Sequence, residues 1–259
     1  MGQYMIKLIV VCVSALFLSG LFFETARAQD SQGEIARQLR QGDGRERGKA
    51  LVTSRSIGSR RIGPELRAAL IAALEREGRL HARRRSGEIG RLENSELIAG
   101  LANLVVEFRD ASSIPALAGS LGTAPPVIFA LADFGEPAAA PIMEVLRNSQ
   151  DPSVEMDALI GLRLMVEGKS SRPLSAKSLL AMKVLAAQRL AETHMVTTLW
   201  RAIDLAVALD DPDLRRTVES FAVDSKAAVA RGITDPDLIE DTRRLAADRL
   251  RGVLPLPRR

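Results

Sequence analysis

Residues 112–146, SSIPALAGSLGTAPPVIFALADFGEPAAAPIMEVL, contain nearly the same message twice. A proline-started apolar run, IPALAGSL at 114–121, is followed by ALADFG. A second, APIMEVL at 140–146, is followed by DALIGLR. Ala130-Leu131 and Ala158-Leu159 stand 28 residues apart. An echo of this period predicts a pair of helices used more than once, because one pair cannot hide a wide apolar face and stacked pairs bury it continuously.

The punctuation around the echo points the same way. Gly63-Pro64 opens ELRAALIAALERE, with Leu66, Leu70, Ile71 and Leu74 on one stripe. Asn94-Ser95 opens ELIAGLANLVVEF, where Leu97, Leu101, Leu104 and Phe108 recur at helical spacing. Asp110 separates that helix from the next, Pro125-Pro126 precede VIFALADF, and Gly135 stops that helix before Glu136-Pro137 start another. Asp151-Pro152, Asp211-Pro212 and Asp235-Pro236 precede three further apolar-periodic stretches. An aspartate oxygen accepts a free amide of the first turn, while proline at the following position sacrifices no hydrogen bond and presets φ. These aspartates are therefore expected as helix caps; they belong to separate turns, which is a poor pattern for a metal cage. Long helices are expected over 175–191 and 194–209. Residues 78–92, GRLHARRRSGEIGRL, read as a basic connector, and 29–48 as a loose polar lead-in with a short helix at 34–39. No convincing alternating strand occurs. Aromatics are 3% against 46% apolar residues, so the core is aliphatic, which suits closely approaching helices.

With these residues in view, the chain resembles the HEAT-repeat family of armadillo-type α-solenoids. In that pattern a proline-started helix with a Pro-x-Leu run pairs with a second helix ending in Ala-Leu and glycine. IPALAGSL with ALADFG, and EPAAAPIMEVL with DPSVEMDALIGL, carry it over 110–168; 63–109 and 174–250 fit by helix length and spacing. The resemblance implies an all-α, right-handed α-α superhelix of about five pairs over 63–250. It also implies protein binding along an extended concave surface. Under that reading Asp133, Glu155, Arg163, Arg201 and Asp204 are expected at a protein-docking surface. Trp200 is either a contact residue or, beside Leu199 and Ile203, a core residue.

Charge is unevenly spread. Over 37–91 there are fifteen basic and six acidic residues, whereas the remainder of the chain after 91 is net acidic. A basic end can dock on an acidic protein, an anionic envelope lipid or polysaccharide, or nucleic acid, or it can simply be a solvated, flexible lead-in over 29–62. Arg60, Arg61, Arg83, Arg84 and Arg85 are the candidates for anionic-surface binding. No aromatic residue interleaves GSRRIG or HARRRSG to stack bases, and an exported chain has little access to nucleic acid.

Export is expected from the opening residues. MGQYMIK carries one cation, 8–23 hold no charge, and ETARA ends in small residues at Ala26 and Ala28. This is the plan of a secretory signal peptide cleaved after Ala28, giving a periplasmic or extracellular protein with no spanning segment. The alternative is an uncleaved anchor. Cys12 is the only cysteine and lies in the apolar centre, so cleavage leaves no thiol for disulfides, nucleophilic catalysis or metal binding.

Catalytic patterns are thin. His81 and His194 are over a hundred residues apart without partners at metal-ligand spacing, and no phosphate loop or GxSxG occurs. Ser175, Lys177 and Ser178 lie close together, but at a predicted helix start, where capping accounts for Ser175. The reading is a non-enzyme with no cofactor or metal, acting as an exported scaffold for another protein, with docking on an anionic envelope surface as the alternative. The tail 251–259, ending LPLPRR, is expected to be disordered. N-terminal sequencing of exported protein is expected to begin at Gln29; a chain still starting at Met1 would contradict cleavage.

Overall fold

The computed structural model describes residues 31–85, 95–168 and 172–252. The signal-like segment with Cys12, the end of the basic stretch at 86–94 and the tail from 253 onward lie outside the described residues. Among the described residues every regular element is helical and no strand occurs, so the described chain is all-α. The described chain divides into two compact units, one ending at Ala73 and one beginning at Leu74.

The first unit holds α1 (31–41), α2 (Gly44–Ile57), a 3-10 turn at Ser59–Arg61 and the first turns of α3 (Pro64–Arg85). Ile35, Leu39, Leu51, Ile62, Leu66 and Leu70 are buried in it. The lead-in expected to be loose therefore carries two helices. What holds it is partly polar. Gln32 grips the loop before α3 from both sides of its amide, donating to the Arg61 carbonyl at 3.0 Å and accepting from the Gly63 N–H at 2.8 Å. Asp43 and Glu46 form a reciprocal capping box at the start of α2. Glycine-rich RQGDGRERG hides this signal, because the box needs only Asp43 and Glu46 at the right spacing.

α3 corrects a second expectation. It continues through GRLHARRR to Arg85 instead of ending near Gly78. Gly78 is no breaker; it is a contact. A Cβ there would stand 3.0 Å from the Gly119 carbonyl oxygen and 3.2 Å from Ser120 Oγ, so glycine lets α3 lie directly on that turn. Glu77 and His81, the latter inside the expected connector, are buried as a result.

The second unit continues with α4 (Ser95–Glu107), α5 (Ile114–Ala118), α6 (Pro125–Phe134), α7 (Glu136–Asn148), α8 (Pro152–Val166), α9 (Ala176–Glu192), α10 (Val196–Ala208), α11 (Pro212–Val223), α12 (Ser225–Val229) and α13 (Pro236–Leu250). Asp151, Asp211 and Asp235 each accept two amides at 2.8–3.4 Å from the first turns of α8, α11 and α13, each with proline next in sequence, and Ser175 caps α9. Two helices depart from expectation. α5 is a short five-residue helix ending at Gly119, and α12 is an extra five-residue helix between α11 and α13.

The principal contacts run between helices close in sequence. α4 packs on α6, α6 on α8, α8 on α10, and α10 on α13; alongside, α5 packs on α7, α7 on α9, and α9 on α11. Cross contacts such as α7 with α8 and α9 with α10 tie the two rows together. Between them lie fully buried Leu131, Ile142, Leu146, Leu159, Leu162 and Leu199. Each such side chain contributes about 1.5–3 kcal/mol through removal from water.

Leu159→Ala is expected to cost about 2–5 kcal/mol, seen as a lowered urea midpoint with an unchanged slope. Gly78→Ala, ordinarily a gain in a helix, is expected to lower the melting temperature, because the added methyl meets backbone that cannot swing aside.

Candidate functional site

The row containing α4, α6, α8, α10 and α13 carries the features best suited to recognition. At the α4 end is a shallow groove of about 460 Å³ floored by Val106, Pro125, Pro126, Phe129 and Phe134. Pro125 and Pro126 open α6 and fix its first turn, and one turn later Phe129 stands 62% exposed. Four residues beyond, on the same helix face, is Asp133, and Arg109 also lines the groove. Arg109 takes φ 49°, a left-handed backbone that lets the chain leave α4 and enter the turn capped by Asp110.

Further along the row is a buried ion cluster. Asp204 of α10 is only 3% exposed and receives three guanidinium groups. Arg163 of α8 and Arg201 of α10 donate to Oδ2 at 3.3 and 3.1 Å, and Arg249 of α13 donates to Oδ1. Glu167, the residue just past the C-terminus of α8, sits 3.1 Å from Arg163 Nε. One carboxylate thus joins three neighbouring helices of the row. The indole of Trp200 adds a neutral link, donating to Thr242 of α13 at 2.9 Å with its ring half-buried.

Of the expected docking residues, Arg163, Arg201 and Asp204 are brought together, Asp133 lies apart at the groove, and Glu155 belongs to a different pair. Asp204 and Glu155 are buried, which corrects their placement on a surface: a carboxylate on the flank of a helix faces its neighbour when the neighbour supplies arginine. Glu155 pairs with Arg189 of α9 at 3.1 Å, and Arg189 also donates to the Leu146 carbonyl at the end of α7. Burial pushes the Glu155 carboxyl above its ordinary range, with Arg189 opposing that rise. Phe129, Arg109 and Arg249 were not singled out by sequence. Phe129 fits an ordinary core position, and Arg249 is 45 residues from the carboxylate it meets.

Among the anionic-surface candidates, Arg60, Arg61 and Arg83 are exposed, while the side chains of Arg84 and Arg85 lie outside what is described. The serines at the start of α9 form a tight polar cluster, while Lys177 stands exposed. The Glu136 carboxylate accepts from the Ser175 amide, the Ser175 hydroxyl and the Ser178 hydroxyl, each at 2.8 Å. The Ser175 amide first, then the two hydroxyls, hold Glu136 below the usual carboxylate range. His194 donates through Nδ1 to the Arg231 carbonyl at 3.1 Å. Among the described residues no three of His, Cys, Asp and Glu gather as a metal cage, and no helix is long and apolar enough to cross a membrane.

No protein-family model matches this chain, and no curated protein or solved structure shows significant similarity to it.

Removing the hub charge leaves Arg249 facing a buried void, so Asp204→Ala is expected to cost about 3 kcal/mol in denaturant unfolding. Glu136→Gln tests linkage. A depressed carboxyl stabilises the fold above its unfolded pKa and loses that contribution as pH falls through the folded one. The variant is therefore expected to be about 1 kcal/mol less stable at neutral pH, after allowance for solvent screening, and to converge with the parent in acid.

Proposed function

We propose that this chain is a non-catalytic, exported scaffold whose HEAT-like helix pairs wind into a right-handed superhelix and bind another protein. The observation that carries the reading is the packing order of the second unit: successive helices pack on neighbours one to three along, in two tied rows. Such packing extends a surface in one direction while adding few long-range constraints, which suits recognition of an extended partner more than enclosure of a small substrate. The Phe129 groove supports a docking role, since an aromatic ring 62% exposed beside Arg109 and Asp133 offers apolar area together with charge of both signs. Arg201, partly exposed beyond the Asp204 hub, extends the same row as a cationic contact. The signal-like opening of the sequence supports export, with the periplasm or extracellular space as the working compartment.

The test is photocrosslinking in the native envelope from position 129, with Val223 on α11 as an exposed control. A discrete adduct from 129 that is absent at 223 and lost on Arg109→Glu is the expected result. Equal labelling at both positions, or none at 129, would remove this row from the docking role. Arg109→Glu should leave the melting temperature unchanged.

A further inference from the structure

We infer that the exposed face of α2, with the turn that follows it, docks this protein onto a membrane surface of anionic phospholipid. This surface belongs to the first unit and is independent of the protein-docking row. Residues 31–73 contain nine cations against four carboxylates. The fold then engages all four of those carboxylates. Glu34 is held by Arg37 at 2.8 Å, Glu65 by Arg40 at 3.1 Å, and Asp43 and Glu46 cap α2 through backbone amides. Arg45, Lys49, Arg60 and Arg61 remain exposed and make no salt bridge among the described residues.

Their placement is directional. Arg45, Lys49 and Val52 fall at helical spacings of four and three, so they share one face of α2, and Arg60 and Arg61 follow just past its C-terminal Gly58 turn. Arg45 lies in the first turn of α2, where the helix dipole disfavours a cation, so helix stability does not account for it. Between the cations Val52 is 67% exposed. Cations flanking an outward aliphatic group match a lipid interface, where phosphates meet the charges and the apolar group enters the headgroup boundary. Residues 31–73 contain no aromatic side chain to stack on a sugar ring or a base, which favours lipid over polysaccharide and nucleic acid.

The experiment is cosedimentation of the purified protein with vesicles of phosphatidylcholine alone and of phosphatidylcholine mixed with phosphatidylglycerol, at low and high salt. Binding is expected only with phosphatidylglycerol and is expected to fade as salt rises. Arg45→Gln with Lys49→Gln should lower partitioning by about tenfold or more at an unchanged melting temperature. Arg60→Gln with Arg61→Gln, outside the helix, should weaken it similarly and guards against a folding effect in α2. Val52→Trp should show a blue-shifted emission with the anionic vesicles and none with the neutral ones. Equal binding to neutral vesicles would mark insertion of the apolar stretch 8–23 and overturn the proposal. So would binding indifferent to both pairs of substitutions, or retention on polygalacturonate with no retention on phosphatidylglycerol.

Discussion

A helix that is apolar on two flanks needs two neighbours, and this requirement governs the second unit. Leu159 and Leu162 on α8 are fully removed from water because α6, α7 and α10 all lean on that one helix. Low aromatic content helps: Ala and Leu keep the interface thin, so axes can approach without large rings to accommodate. Close approach is carried to its limit at Gly78, where helix backbone rests on the turn after α5. Polar side chains then settle which helix meets which. Asp204 gathers Arg163, Arg201 and Arg249 from three helices, and Glu155 with Arg189 links α8 to α9. Leucines alone would permit sliding between such similar helices; a buried carboxylate with a fixed set of guanidinium donors penalises every other register.

Local signals were legible in the sequence, and nonlocal ones were not. The Asp-Pro starts of α8, α11 and α13 are readable because both halves of the cap, acceptor and preset φ, sit in adjacent residues. The same holds for Ser175. By contrast, GRLHARRR has the composition of a connector, and only the presence of Gly119 opposite Gly78 shows that the glycine serves a contact inside α3. The short helix expected at 34–39 lies within α1, whereas α2 was obscured by glycines that flank its capping box. Of the candidate site, Asp133 and the trio Arg163, Arg201 and Asp204 were visible as charged positions on helices. Which of them faces water was not, since that depends on Arg249 arriving from far along the chain.

The two units divide their charges differently. In the first, each of the four described carboxylates is engaged by a neighbour or a helix start, leaving cations outward on α2. In the second, a few arginines turn inward to carboxylates: Arg249 is buried against Asp204, and Arg163 and Arg189 are half-buried against Asp204 and Glu155. A guanidinium suits this interior duty because it stays charged at all relevant pH and satisfies a carboxylate with directed donors. Lysine, more strongly hydrated, would resist the same burial.

Contacts that reach mainly one to three helices along the chain also bear on how the second unit responds to tension. Within that unit, a helix lost from one end leaves the interfaces of more distant helices in place, so extension of the unit should proceed in steps. At the far end Arg249 of α13 reaches back to Asp204 of α10 across α11 and α12, so the last turns cannot peel away without breaking that ion pair.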